Sequence, residues 1–241
     1  MPDRRKSPAV PLVVAAIALV ALVATLAGTW ASDSTKDSAD AASSSEAESS
    51  RRAPDDTWDR LVRREADDPM AMGEVDAPVV MLAYSDFQCP FCGKFARDTA
   101  PVLIDQYVED GTLRIEWRDF PYLGPESTTA AQGARAAAAQ DSFWAFHDEM
   151  YAHQLPPNSG NLDKDYLAGI AEKLGLDVEQ FRTDMESRAT ARGIAEDFSQ
   201  GQAIGVTGTP AFVINGVPVI GAQPTEVFEK TIEQAAADAV R

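Results

Sequence analysis

Cysteine, histidine and positive charge are all scarce in this chain. Among its 241 residues there are two Cys, two His and 21 Lys or Arg against 38 Asp or Glu, a formal net charge of -17. Each scarcity closes off a class of function. A nucleic-acid binder draws its affinity for phosphate from surplus Lys and Arg, so this composition points away from nucleic acid; the excess of acid favours solubility instead. A structural zinc takes four Cys or His ligands, and Cys89, Cys92, His147 and His153 are the whole supply. With both histidines in one helical run, no metal is expected. There is no phosphate-binding loop, no nucleophilic-serine motif, no paired-carboxylate spacing and no internal repeat.

Charge is missing altogether from residues 9–29, AVPLVVAAIALVALVATLAGT, which follow a basic flank, residues 1–8, carrying Arg4, Arg5 and Lys6. At about 1.5 Å per residue that run spans roughly 30 Å, the hydrocarbon thickness of a bilayer, whereas the apolar part of a signal peptide is about 7 to 15 residues. An uncleaved transmembrane anchor is therefore expected at 9–29. Cleavage is the alternative, because small residues surround Ala27 and Ala31. In either case the flank stays in the cytoplasm and the rest is exported, an extracytoplasmic placement for the folded part. Residues 30–56, rich in Ser, Ala and Asp and without apolar periodicity, read as a disordered linker.

Residues 57–241 carry the fold. TWDRLVRREA suggests a short helix and DPMAMG an extended piece. PVVMLAYSDF, residues 78–87, has the β-branched and aromatic run of a buried strand. Residues 92–111 read as a helix ending at Gly111, with a kink at Pro101. TLRIEWRDF, residues 112–120, alternates as the next strand. An Ala-rich helical stretch follows over about 125–204, its apolar residues spaced by three and four, as at Phe143, Phe146 and Met150. In that stretch His147, among aromatics, reads as a packing or surface histidine rather than a catalytic base, and Gly133 as a blemish in a good helix former. Asn215-Gly216 between two short apolar runs signals a hairpin, and a last helix is expected near Pro224. The order is β-α-β, a helical insertion, then β-β-α, an α/β fold.

The two cysteines stand in SDFQCPFCGKF, between the first strong strand and its helix. A bridge across so short a loop would remove little entropy from the unfolded chain, so a structural staple is disfavoured even in an oxidising compartment. A redox couple makes better use of the position. Unsatisfied N–H groups at the helix start stabilise a thiolate at Cys89, while Cys92, one turn on, is less exposed. Cys89 is the expected attacker and Cys92 the resolver.

The strand into CPFC, the proline inside the next helix, the helical insertion and GVTGTPAFVING together resemble the thioredoxin-fold thiol-disulfide oxidoreductases of the DsbA type. Runs such as SDFQCPFCGKFARDT and RIEWRDFPYLGPES are similar to those of membrane-anchored actinobacterial members, over about residues 70–235. The resemblance implies a cis bond before Pro210, with the Thr209 backbone free to pair with an extended substrate chain, and Pro90 and Phe91 as the motif residues that tune the couple. It implies no cofactor beyond the redox-active Cys89–Cys92 disulfide. Exported protein thiols would be the substrates, and a quinone-coupled membrane protein, DsbB-like or vitamin-K-epoxide-reductase-like, the reoxidant.

The resemblance is incomplete in two places. Phe91 stands where the periplasmic oxidant has histidine, and Ala83 where thioredoxin-like proteins often carry a buried acid. Asp86, Glu116 and Asp119 are the candidates to move a proton to Cys92. Introduction of disulfides is the expected activity. The same chemistry run as a reductase or isomerase is the first alternative, and a non-catalytic peptide-binding chaperone module the second.

Overall fold

The computed structural model describes residues 58–240. The expected flank, anchor and linker at 1–56 lie outside the described residues. Among the described residues no helix is long and apolar enough to cross a membrane.

Five strands form one sheet in the order β1-β3-β2-β4-β5. β2 (Val79–Ser85) and β3 (Leu113–Asp119) are its parallel centre, registered from Val79 opposite Leu113 to Ser85 opposite Asp119. The short β1 (Ala71–Met72) closes one edge antiparallel to β3. On the other side β2 pairs antiparallel with β4 (Ala211–Ile214), which pairs with β5 (Val217–Ile220). Asn215 and Gly216 join β4 to β5 with φ of 42° and 85°, left-handed values that Asn and Gly adopt at least cost. The Asn215 side chain also accepts from the Val80 N–H and donates to the Pro78 carbonyl, tying the turn to β2.

The helix after the cysteines, expected to kink at Pro101, is interrupted by two π-helical segments. α1 (Pro90–Lys94) passes into a π-helical segment, Phe95–Thr99, then α2 (Ala100–Leu103), then a second π segment, Ile104–Val108. Pro101 has no N–H, and its ring would crowd the carbonyl four residues back. The wider turn, in which the Ala100 N–H reaches the Phe95 carbonyl, relieves that crowding.

Side chains alternate across the sheet, so β2 and β3 present two faces. On one, Val79, Met81, Ala83, Leu113 and Ile115 pack with Phe95, Leu103, Phe212 and the last helix, α8 (Thr225–Ala239), through Phe228 and Ile232. On the other, Val80, Leu82 and Tyr84 meet Phe120, Val206 and the segment beginning at Trp58. The insertion is five helices: α3 (Pro125–Ala138), α4 (Phe143–Ala152), α5 (Lys164–Lys173), α6 (Val178–Met185) and α7 (Arg188–Ala203). Its alanines serve packing as well as helix propensity. A Cβ on Gly133 would come within 3.1 Å of Leu167 and 3.2 Å of Phe146, so this residue marks a close approach of helices rather than a blemish.

The alternation of β3 also has an outcome that its pattern does not show. Arg114, Glu116 and Arg118 face the Val80–Tyr84 side, yet all three are buried. The segment expected as a helix from Trp58 is a single turn, beyond which the Arg63 and Arg64 N–H groups each donate to the Glu116 carboxylate at 2.9 Å. Glu116 also accepts from Arg114 at 3.1 Å and Arg118 at 2.8 Å. Burial alone would raise its pKa; the Arg63 and Arg64 N–H groups and the Arg118 guanidinium outweigh it and hold the carboxyl at about 2.

Candidate active site

Cys89 ends the loop after β2 as the residue capping α1, with extended φ and ψ of -72° and 118°. Pro90 follows at the first helical position, where a missing N–H costs nothing. The loop is held from several sides. Its Cys89 N–H donates to the Asp86 carbonyl, and the Asp86 carboxylate accepts from the N–H groups of Gln88, Tyr122 and Leu123 at 2.8, 2.8 and 2.9 Å. Gln154, from the end of α4, donates its side-chain amide to the carbonyls of Phe87 and Cys89, both at 2.9 Å. A Cβ on Gly93 would stand 2.3 Å from the Gln154 side-chain oxygen, so the small residue after Cys92 makes room for this brace. Neither Gln154 nor the role of Gly93 is visible in sequence, because the contact joins the motif to a residue far along the chain.

Both cysteines are thiols in this structure and both are buried, Cys89 at 5% exposure and Cys92 at 1%. The Thr209–Pro210 peptide is cis, and the Thr209 carbonyl lies 3.2 Å from the Cys89 sulfur, close enough to accept its proton. The four residues expected at the heart of the site are therefore together. Phe91, between the two cysteines, is 64% exposed.

The two sulfurs sit in opposite electrostatic settings. A hydrogen bond from the Cys92 thiol is the largest influence on Cys89. Burial opposes it, while the Thr209 hydroxyl and the N–H groups of Cys92 and Phe91 add to it, and the Cys89 thiol is lowered to about 6. Cys92 is pushed well above its ordinary value, first by burial and then by its hydrogen bond and charge interaction with Cys89. One thiol is prepared to ionise and the other to keep its proton.

None of the three acids named for proton movement is free to serve Cys92. Asp86 clamps the loop, and Glu116 lies under the segment from Trp58. Asp119 accepts from the Trp117 ring N–H at 2.8 Å and from Arg135 at 2.5 Å. Arg135 bridges on to the buried Asp197 at 2.6 Å, and Arg63 binds the other oxygen of that carboxylate. His147 packs as expected, with ring centroids 4.8 Å from Tyr151 and 5.3 Å from Trp117. Among the described residues no group of three or more His, Cys, Asp or Glu side chains is placed to hold a metal ion.

The family profile described as Thioredoxin matches residues 65–234. The chain belongs to the thioredoxin family. Within it, this thioredoxin-fold protein is 33% identical over 150 residues to a probable disulfide bond formation protein D of Bacillus cereus, covering 61% of this chain and 69% of that one. The chain is thus a DsbA-like member of the thioredoxin-fold disulfide oxidoreductase family. It is also 34% identical over 179 residues to the Na(+)/H(+) antiporter NhaA 1 of Salinispora arenicola, where the match covers 73% of this chain but only 26% of the antiporter. The chain thus spans about a quarter of that relative's length. Crystalline oxidised BdbD from Bacillus subtilis shares the fold with a TM-score of 0.66 at 20% identity, over 72% of this chain and 95% of that one.

Proposed function

We propose that the protein donates disulfides to exported proteins. In this reading an oxidised Cys89–Cys92 bridge is attacked at Cys89 by a substrate thiolate, giving a mixed disulfide. A second substrate thiol then displaces the enzyme, which leaves with both cysteines reduced. The observation that carries this direction is the placement of Cys89 at the start of α1, beside Cys92 and Thr209, which favours its thiolate and lowers its pKa to about 6. Stabilising the thiolate stabilises the reduced form, and a couple whose reduced form is favoured is an oxidant.

Thr209 would pair its backbone with an extended substrate beside Cys89, with Pro210 keeping that edge open. Pro90 and Phe91 would set the thiolate's surroundings, Phe91 adding no positive charge. No cofactor other than the disulfide is needed. Turnover calls for a reoxidant, for which a quinone-coupled membrane protein of the DsbB-like or vitamin-K-epoxide-reductase-like kind fits the chemistry. The uncharged run at 9–29 supports a single-pass anchor that holds the domain outside the cytoplasm.

Equilibrating the full chain in graded glutathione buffers tests the direction. A reduction potential between about -120 and -180 mV supports disulfide donation, whereas a value near about -270 mV withdraws it in favour of a reductase. Cys89→Ser separates both from a non-catalytic peptide-binding module, which would keep its activity without the sulfur.

A further inference from the structure

A cavity of about 590 Å³ lies behind the CPFC helix and reaches the buried side of Cys92. Most of its wall is apolar, supplied by residues such as Ala83, Phe95, Trp117 and Trp144. Its charged lining residues are Arg97, Asp105, Glu109 and Asp148, all exposed, whereas the titratable groups lining it from buried positions are Cys92, His147 and Tyr151. Tyr151 is already committed: its hydroxyl donates to the Asp86 carbonyl, and burial pushes its pKa well above the ordinary value. His147 is different. Its Nδ1 lies 2.8 Å from the Asp148 carboxylate, whose side chain is 77% exposed, so one buried ring joins the cavity to solvent.

We infer that His147 is the proton relay for Cys92, acting through water in this cavity and standing in for the acid absent at Ala83. The geometry suits the task. A carboxylate at Nδ1 fixes the proton there and leaves Nε2 as the acceptor of the neutral ring, and imidazole is the side chain that gains and loses a proton near neutral pH. A cavity of this size has room for water, which the polar groups of Ser85, Cys92 and His147 on its wall would anchor.

During disulfide donation the substrate thiolate bonds to the Cys89 sulfur and the Cys89–Cys92 bond breaks. Its electron pair goes to Cys92, which takes a proton, through water, from the His147 imidazolium. The neutral ring then regains a proton at Nε2 from solvent through the cavity water, while Asp148 keeps the Nδ1 proton in place. In the opposite direction neutral His147 takes the Cys92 proton. The new thiolate attacks the Cys89 sulfur of the mixed disulfide and expels the substrate thiolate.

The inference rests on the proposed roles of Cys89 and Cys92 but not on the direction of electron flow. It is tested by the rate at which glutathione reduces the oxidised full chain, divided by the thiolate fraction of glutathione, between about pH 5 and 8. In that step attack and departure of Cys92 occur together. The wild-type rate should show a limb that titrates in this range, and His147→Gln should remove the limb and slow the reaction at least about tenfold. Alkylation of reduced Cys89 should not change, and imidazole added to His147→Ala should restore the rate. A wild-type profile already flat over the range overturns the relay, even if the glutamine variant fails to fold. So does a glutamine variant with the wild-type rate and profile. A wild-type chain inert to glutathione would instead remove the redox reading of the couple, and the relay with it.

Discussion

Lowering the pH from 7 to 5 should cost the reduced protein about 1.4 kcal/mol of stability that its Cys89→Ser variant does not lose. The figure follows from the position of the sulfur. Folded Cys89 titrates at about 6 against an ordinary 9.0, because the Cys92 thiol, the Thr209 hydroxyl and two helix N–H groups favour the thiolate more than burial opposes it. A folded value below the unfolded one means stability gained as pH rises above it and lost as pH falls through it. At pH 7 the folded sulfur is mostly thiolate and the unfolded one mostly thiol, which gives the figure quoted; at pH 5 both are thiols and the contribution vanishes. Above pH 8 the raised Cys92 titrates in the opposite sense, so the window ends at 7. Urea denaturation of both proteins under reducing conditions at the two pH values isolates the effect, since every other group cancels in the difference. The same 1.4 kcal/mol makes the couple about 30 mV more oxidising. If the two proteins lose equal stability, and thiolate absorbance shows a midpoint near 9, the electrostatic account of Cys89 is wrong.

Other expectations follow from the supports of the site. Glu116→Gln leaves two buried guanidinium groups without their carboxylate and should cost about 3 to 5 kcal/mol in denaturant unfolding. Because folded Glu116 titrates at about 2 against 4.5, the wild type should also lose roughly 3 kcal/mol as pH falls from 4.5 to 2, a limb absent from the variant. Gly93→Ala should drive the Gln154 amide off the Phe87 and Cys89 carbonyls at a cost of about 1 to 3 kcal/mol, and adding Gln154→Ala should recover part of it; strict additivity of the two would rule out the contact. Cys92→Ala should accumulate mixed disulfides on Cys89 in non-reducing gels, and a variant that traps none would remove Cys92 from the resolving role.

The strands at 79–85 and 113–119, the helical insertion and the Asn-Gly hairpin were legible because each depends on local pattern or turn chemistry. The cis bond before Pro210 came from the family resemblance, since spacing alone says nothing of it. What covers each face was not legible. In β3 the alternation of Arg114, Glu116 and Arg118 marks a polar row, and such a row ordinarily meets water. Here two backbone N–H groups from the segment after Trp58 cross over it, a pairing of residues more than fifty positions apart that no window of sequence contains. The same limit hid Gln154. It also left Asp86, Glu116 and Asp119 equal as proton carriers, although their hydrogen bonds commit all three elsewhere.

The sharp contrast between Cys89 and Cys92 comes from where the strand becomes a helix. Residue 89 still has strand-like φ and ψ, so its sulfur lies outside the helix, in reach of the first N–H groups and of Thr209 on the adjoining β4 loop. Residue 92 is inside the first turn, and a helical side chain there faces the sheet and the cavity behind it. Moving the motif one residue toward the helix would put the first sulfur at the exposed position 90 and the second at 93, against Gln154, and moving it one residue back would put the second at the exposed position 91. The three-residue spacing thus couples a sulfur stabilised as an anion to one that must be given a proton whenever it leaves, which is why the source of that proton bears on the rate in both directions of exchange.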